Sequence, residues 1–412
     1  VRPGAHRARH ARRTTYTEVF AIGEFRALYS AQVLSVLGDV FARVGIVVLV
    51  YARTSSALAA AAAFAIGYLP YVVGGPFLAT FAERWPRRQV LIACDLIRAV
   101  LLLAVAVPGV PVLALLALLL LTALFDPPFT STRSALLPDV LPGDRYVTGI
   151  TVVGVTTQIL QLVGFAAGGV VVAVLSPRAA LLADAATFVV SALIIRFGTR
   201  ERPGTALPSV HASVVADTLD GLRYVLSRPL LRAYLLAVWV SAAFVFVPEG
   251  LAAAYAAELG RDAVTVGLIL AANPVGMILG GIVLGRLLPP RVRITAFRPL
   301  ALLSTVALIP VAMAPPLPAA LGLLLVSGLG ISFNLPLNGL FIRALPERYR
   351  SRGYAVASGG LLMAQGLGIV VAGAVAEAVT VPLVIGLAGT IGTIAVLLTV
   401  LRWPSVEEQL AL

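Results

Sequence analysis

Lysine is absent from this chain, cysteine occurs once and histidine three times. Each shortage excludes something. Cys94 alone cannot form an intramolecular disulfide or a cysteine-based metal site. His6, His10 and His211 all fall in expected tails or loops, so no metal cluster or histidine-based catalytic group can form within the apolar runs. No cofactor and no metal are expected. Without lysine there is no Gly-x-x-x-x-Gly-Lys phosphate loop, which excludes that route to ATP. Charge is scarce as well: 12% of the 412 residues are charged and 59% are hydrophobic. A soluble protein of this length carries roughly twice that charged fraction.

What the chain has instead is uncharged length. Stretches such as 54–82, 99–125, 147–177, 263–285, 353–376 and 378–401 carry no charged side chain. A helix needs about 20 apolar residues to cross the hydrocarbon core. The run 299–342 is twice as long and is interrupted by Pro315, Pro316 and Pro318, so it divides into two. Twelve spans are predicted, near 25–51, 57–82, 89–107, 111–131, 147–174, 179–197, 231–253, 264–285, 297–314, 317–341, 353–377 and 381–401. The basic N-terminus runs into a full-length span without a small-residue cleavage site, so no cleaved signal peptide is expected.

All 31 basic residues are arginine. With the N-terminus inside, 26 fall on the cytoplasmic side and only Arg53, Arg178 and Arg261 outside, leaving Arg43 and Arg98 within spans. That asymmetry is the positive-inside pattern of a cytoplasmic (inner) membrane protein with both termini in the cytoplasm. It also accounts for the net charge of +12 without nucleic acid as a partner.

The halves repeat. "GGPFLATFAERWPRR" from Gly74 aligns with "GGIVLGRLLPPRVR" from Gly280, and "DPPFTSTRSALLPD" from Asp126 with "NLPLNGLFIRALPE" from Asn334. "QLVGFAAGG" from Gln161 aligns with "QGLGIVVAG" from Gln365, all three at nearly one offset. Parallel six-span repeats imply an all-α membrane protein of two six-helix bundles, with a site between them near the midplane. The expected division is a basic N-terminal tail (1–24), an N-terminal bundle (25–198), a cytoplasmic linker (199–230), a C-terminal bundle (231–402) and a C-terminal tail (403–412). In the linker, Val214, Val215, Leu219, Leu222, Val225 and Leu226 recur at helical spacing, which predicts an amphipathic helix at the inner membrane surface.

The loop "ATFAERWPRRQVLI" resembles signature A of the major facilitator superfamily. Ala79 stands at its first glycine, Glu83 at its aspartate, Arg84 at the following base, Pro86 at its second glycine, and Arg87 and Arg88 at its final bases. "FRALYSAQVLSVLGD", "CDLIRAVLLL", "RSALLPDVLP", "LLADAATFVVSALIIR" and "DGLRYVLSRPLLRAYLL" are similar to the branch holding macrolide-efflux and enterobactin-export permeases. Two departures stand out. Phe165 occupies the place of the proline in the family's span-5 antiporter signature, and no arginine-centred signature is evident within span 4. The resemblance implies a secondary transporter, not an enzyme, that exports an amphipathic drug, antibiotic or siderophore by alternating access coupled to protons. A metabolite uptake permease is the alternative, and a non-transporting scaffold or sensor a more distant one. A monomer in the lipid bilayer is expected, with a small-molecule substrate and protons as partners.

The resemblance also implies a gate in which Glu83, Arg84, Arg87 and Arg88 tie span 2 to its neighbours. Arg84 could fork onto Asp95 or Asp126, with Arg98 nearby. The plainer reading is a basic loop that fixes topology. Acids at depth are costly in lipid, so they face the bundle interior and either pair or titrate. Asp39 lies ~22 Å into span 1, near the midplane, with Arg43 four residues on along the same face. They are read either as a coupling site, with Asp184 and Glu249 as further candidates, or as a fixed ion pair fastening spans. Gln32, Gln158, Gln161, Asn273, Asn338 and Gln365 are candidates for the substrate cavity, each weighed against an ordinary interhelical contact.

Overall fold

A computed structural model describes residues 15–73, 84–204, 214–289, 292 and 296–401. Among the described residues ten helices are long and apolar enough to cross a membrane, and two shorter apolar helices stand in sequence with them. The N-terminal six are α1 (Gly23–Thr54), α2 (Ala57–Tyr71), α3 (Arg87–Ala106), α4 (Val112–Val140), α5 (Asp144–Val174) and α6 (Pro177–Gly198). The C-terminal six are α7 (Pro229–Gly250), α8 (Ala263–Leu287), α9 (Phe297–Met313), α10 (Leu317–Ala344), α11 (Glu347–Val375) and α12 (Val381–Leu401). Successive passes return the chain so that the start of α1 and the end of α12 share one end of the molecule, here the proximal end. The other end is distal.

Prolines shape the helices where the repeat matches. The α4 helix breaks at Phe125 and restarts at Asp126, because Pro127 and Pro128 donate no amide hydrogen and fit only a first turn. Its repeat counterpart, α10, breaks in the same way before Asn334. The α7 helix breaks at Phe246 with Pro248 in the first turn of its last piece, Val247–Gly250, and a short helix, Ala252–Glu258, follows. Helices α4, α5, α10 and α11 run past the predicted apolar boundaries at their proximal ends, because the flanking polar residues continue the helix into water.

The core is divided unevenly along the membrane normal. In the distal half both bundles share one cluster, with Val44, Ala61 and Phe165 of the first packed together with Leu251, Val266 and Ile369 of the second. In the proximal half each bundle keeps its own: Phe25, Leu91, Phe129 and Leu141 in one, Leu235, Phe297, Phe333 and Val396 in the other. Lipid tails are as apolar as these side chains, so helix association here rests on close packing rather than on escape from water. Glycine makes the distal seam possible. A Cβ on Gly169 of α5 would lie 2.7 Å from the Ala263 carbonyl oxygen and 3.0 Å from the Gly267 Cα of α8. At Gly373 of α11 it would meet the Ala61 side chain of α2 at 2.6 Å.

The linker helix, Val214–Ser227, docks on the first turns of α11. Asp220 pairs with Arg352 at 3.0 Å, and the Tyr224 and Tyr349 rings stack with centroids 4.0 Å apart. Val225 is buried in the C-terminal proximal core, while Leu219 and Leu226 are exposed.

At the distal seam Glu377, just past α11, caps the start of α2. Its carboxylate accepts from the Leu58 amide at 2.9 Å and the Ser56 hydroxyl at 2.8 Å, which holds it below the usual carboxylate range. A carboxyl depressed in the folded state adds stability above its unfolded titration range, and that increment is lost as pH falls through the folded value. Glu377→Gln is expected to lower stability at neutral pH by about 1 kcal/mol or less, given the cap's exposure to water. It should also remove this cap's share of the acid-side loss, which thermal unfolding across pH will show.

Candidate functional site

Arg98 on α3 is the centre of the N-terminal bundle. Its guanidinium is 2.8 Å from Asp39 of α1 and 3.7 Å from Asp126 at the α4 break. It lies 4.0 Å from the Phe188 ring centroid of α6, and its charge also reaches Asp184 and Asp95. A buried cation in a membrane bundle needs such neutralisation, because a lone charge there costs several kcal/mol. The acids are in turn held by hydroxyls. Asp95, fully buried, accepts from Ser191 at 2.6 Å, Asp126 accepts from the Tyr71 phenol of α2, and Asp184 accepts from Thr187 at 3.2 Å.

Beside this network lies a cavity of about 130 Å³. Asp39, Arg43, Phe64, Arg98, Asp126 and Asp184 contribute to its wall, and every lining residue belongs to α1, α2, α3, α4 or α6. This cavity is therefore within one bundle, whereas the repeat led us to expect a site between two.

A second group bridges the bundles. Gln365 of α11 donates through Nε2 to the Tyr68 hydroxyl of α2 at 2.9 Å. Glu249 of α7 is 6% exposed, and its carboxylate has no hydrogen-bond or ion-pair partner among the described residues. Arg43 of α1 is the charged group within electrostatic reach of it. Arg43 itself lies over the Phe64 ring, 5.6 Å from its centroid.

The structure thus distributes the sequence candidates unevenly. Asp39 lies on Arg98 instead of on Arg43: the i,i+4 spacing puts both on one helix face, but the buried Arg98 draws the carboxylate across to α3. Asp95 and Asp126 are engaged by Ser191 and by Tyr71 and Arg98, while Arg84 is exposed to solvent. Glu83 lies outside the described residues. Arg87 reaches Asp139 at 2.6 Å, and Arg88 and Gln89 reach Glu201, so α3 is clamped to α4 and to the segment after α6. Arg202 of that segment pairs with Glu24 at the start of α1, closing the ring within the same bundle.

Among the amides, Asn273 is buried and faces the Val245 carbonyl of α7 at 3.5 Å, an interhelical contact. Gln32, Gln161 and Asn338 are half-buried and Gln158 is exposed, and Gln161 does not repeat the Gln365 bond. Tyr68, Tyr71, Ser191 and Thr187 were not singled out from sequence. A hydroxyl inside an apolar run is too common to mark a site until a buried acid is seen beside it.

A family model described as Major Facilitator Superfamily matches residues 28–349. The multidrug efflux pump Tap of Mycolicibacterium fortuitum is 28% identical over 346 residues, covering 80% of this chain and 83% of that protein. Macrolide efflux protein A of Streptococcus pyogenes is 22% identical over 233 residues, covering 55% of this chain and 56% of that protein. The crystal structure of the nucleoside transporter NupG superposes with a TM-score of 0.71 at 13% identity, covering 92% of this chain and 99% of that one.

Breaking the Arg98 network has a defined cost. Arg98→Gln strands two carboxylates and is expected to destabilise the protein by ~3–5 kcal/mol. Adding Asp39→Asn should restore part of the loss, so the double variant falls short of the sum of the singles. Denaturant or thermal unfolding of the three variants in detergent checks both expectations.

Proposed function

The chain belongs to the Major Facilitator Superfamily, and on that premise we propose that it is a proton-coupled exporter of an amphipathic small molecule, of drug, antibiotic or siderophore type. It works as a monomer in the cytoplasmic membrane with its proximal end inside. The observation that carries this reading is the division of the core. One apolar cluster fastens the bundles at the distal end while their proximal halves pack separately, which is one extreme of a rocking cycle. The arginines gather at the proximal end, as the positive-inside pattern requires of a cytoplasmic face.

Export is favoured over uptake by the efflux proteins to which the chain is similar. In this reading Arg43, Tyr68, Glu249 and Gln365 are the groups that a substrate meets, because they come from α1, α2, α7 and α11, two helices of each bundle. The signature-A arginines make the N-terminal bundle a single rigid body. Arg87 and Arg88 hold α3 to its neighbours, so a tilt started in the cavity moves the whole bundle. The buried acids around Arg98 supply the coupling.

Everted membrane vesicles carrying the protein test the proposal with ethidium and radiolabelled erythromycin as probes. Under a gradient acid inside, at least one probe is expected to accumulate, and to stop when the gradient is collapsed. Glu249→Gln should weaken accumulation while leaving the protein folded. Accumulation only under the opposite gradient would support uptake, and no movement under either gradient would overturn the transport reading.

A further inference from the structure

We infer that Asp184 is the carboxyl that carries the transported proton in this chain. This deepens the proton-coupled reading above and rests on it. Three carboxylates line the cavity of the N-terminal bundle: Asp39, Asp126 and Asp184. The charged groups facing it from the surrounding helices are Arg43 of α1 and Arg98 of α3, with Asp95 behind the wall. Arg98 is within 4.0 Å of Asp39 and Asp126, so both have an ion pair. Asp184 has none among the described residues. It is 1% exposed, and the hydrogen bond it has beyond its own backbone is the one from Thr187.

An ionised carboxylate so placed would be stranded, since one neutral hydroxyl offsets little of its desolvation. A protonated carboxyl is at home there, and the cavity gives its proton a way to water. Its position also gives the proton leverage. The carboxyl lies against Gly38 of α1, the residue before Asp39, where no side chain holds the two helices apart. When the O–H proton leaves to cavity water, the new charge on Asp184 competes for Arg98, whose Nε is unpartnered. The contact most easily given up is the longer one, to Asp126 at 3.7 Å. Asp126 starts the second half of α4 and accepts from Tyr71 of α2, so its release alters the α4 break and α2 together. One proton lost at Asp184 is thereby expressed as a change in two helices, and its return restores the resting arrangement.

Infrared difference spectroscopy of the purified full-length protein tests this without a substrate. At neutral pH, wild type minus Asp184→Asn should contain a protonated carboxylic acid band that fades as pH rises. Wild type minus Asp39→Asn should contain an ionised carboxylate band instead. Should Asp184→Asn fail to fold, Asp184→Glu in protein carrying carbon-13 aspartate should move one protonated band from the labelled to the unlabelled position. An ionised band at Asp184 under these conditions, or no shift in the labelled protein, would overturn the assignment.

Gradient-driven ethidium movement in vesicles separates this claim from the transport reading. If wild type moves neither ethidium nor erythromycin under either gradient, coupled export fails while the spectra still decide where the proton sits. If wild type moves dye, Asp184→Asn should fall to the level without a gradient and keep downhill flux. Undiminished gradient-driven movement in that variant would overturn the coupling role of Asp184.

Discussion

A guanidinium buried among membrane helices has to be neutralised by the protein, and Arg98 meets that demand by drawing on α1 and α4 at once. The choice of partners organises the N-terminal bundle. Asp39 is pulled across from its own helix face, Asp126 is held at the α4 break, and the Phe188 ring of α6 covers the flat face of the cation. A single cation cannot satisfy every carboxylate around it. That imbalance is where a buried network stops being only structural, because a surplus acid in low dielectric exchanges a proton more readily than it keeps a charge.

The second constraint is geometric. Small residues let α5 meet α8 and α2 meet α11 at the distal end, and the shared core grows from those approaches. Among the described residues the proximal halves share no such cluster. The polar bridges between bundles are few among the described residues: Glu377 on the start of α2 and Gln365 on Tyr68, with Arg43 and Glu249 facing one another without a direct bond. Few bonds need to break for the bundles to tilt, which suits a membrane protein that must repack repeatedly. The proximal arginine pairs stiffen the N-terminal bundle against that tilt without tying it to its partner.

Much of the architecture was legible because lipid imposes it. Uncharged length marks the spans, and the match of Asp126-Pro-Pro to Asn334-Leu-Pro marks the two helix breaks at corresponding places. In the matched segments "QLVGFAAGG" and "QGLGIVVAG", the corresponding glycines Gly169 and Gly373 are where the bundles meet. The site was less legible. Spacing along one helix pairs Asp39 with Arg43, but which residues share a depth across helices depends on tilt and on the turn at Pro127, and periodicity encodes neither. The symmetry expected of Gln161 and Gln365 is not kept: Gln365 donates to Tyr68, and Gln161 has no such bond among the described residues. The linker helix reads as amphipathic from its spacing, but the stacking of Tyr224 on Tyr349 that docks it emerges only from the fold.

At the centre of this account is a pair of bundles that rock between distal and proximal contact as the N-terminal cavity changes protonation. Double electron–electron resonance measures that motion directly, with Cys94 replaced and spin labels placed on exposed residues. Leu113 and Met313 report the distal end, and Phe197 and Leu401 the proximal end. As pH is stepped across neutrality, the two distances are expected to change in opposite directions, one lengthening as the other shortens. Both distances staying fixed, or both changing together, would contradict the rocking of two rigid bundles.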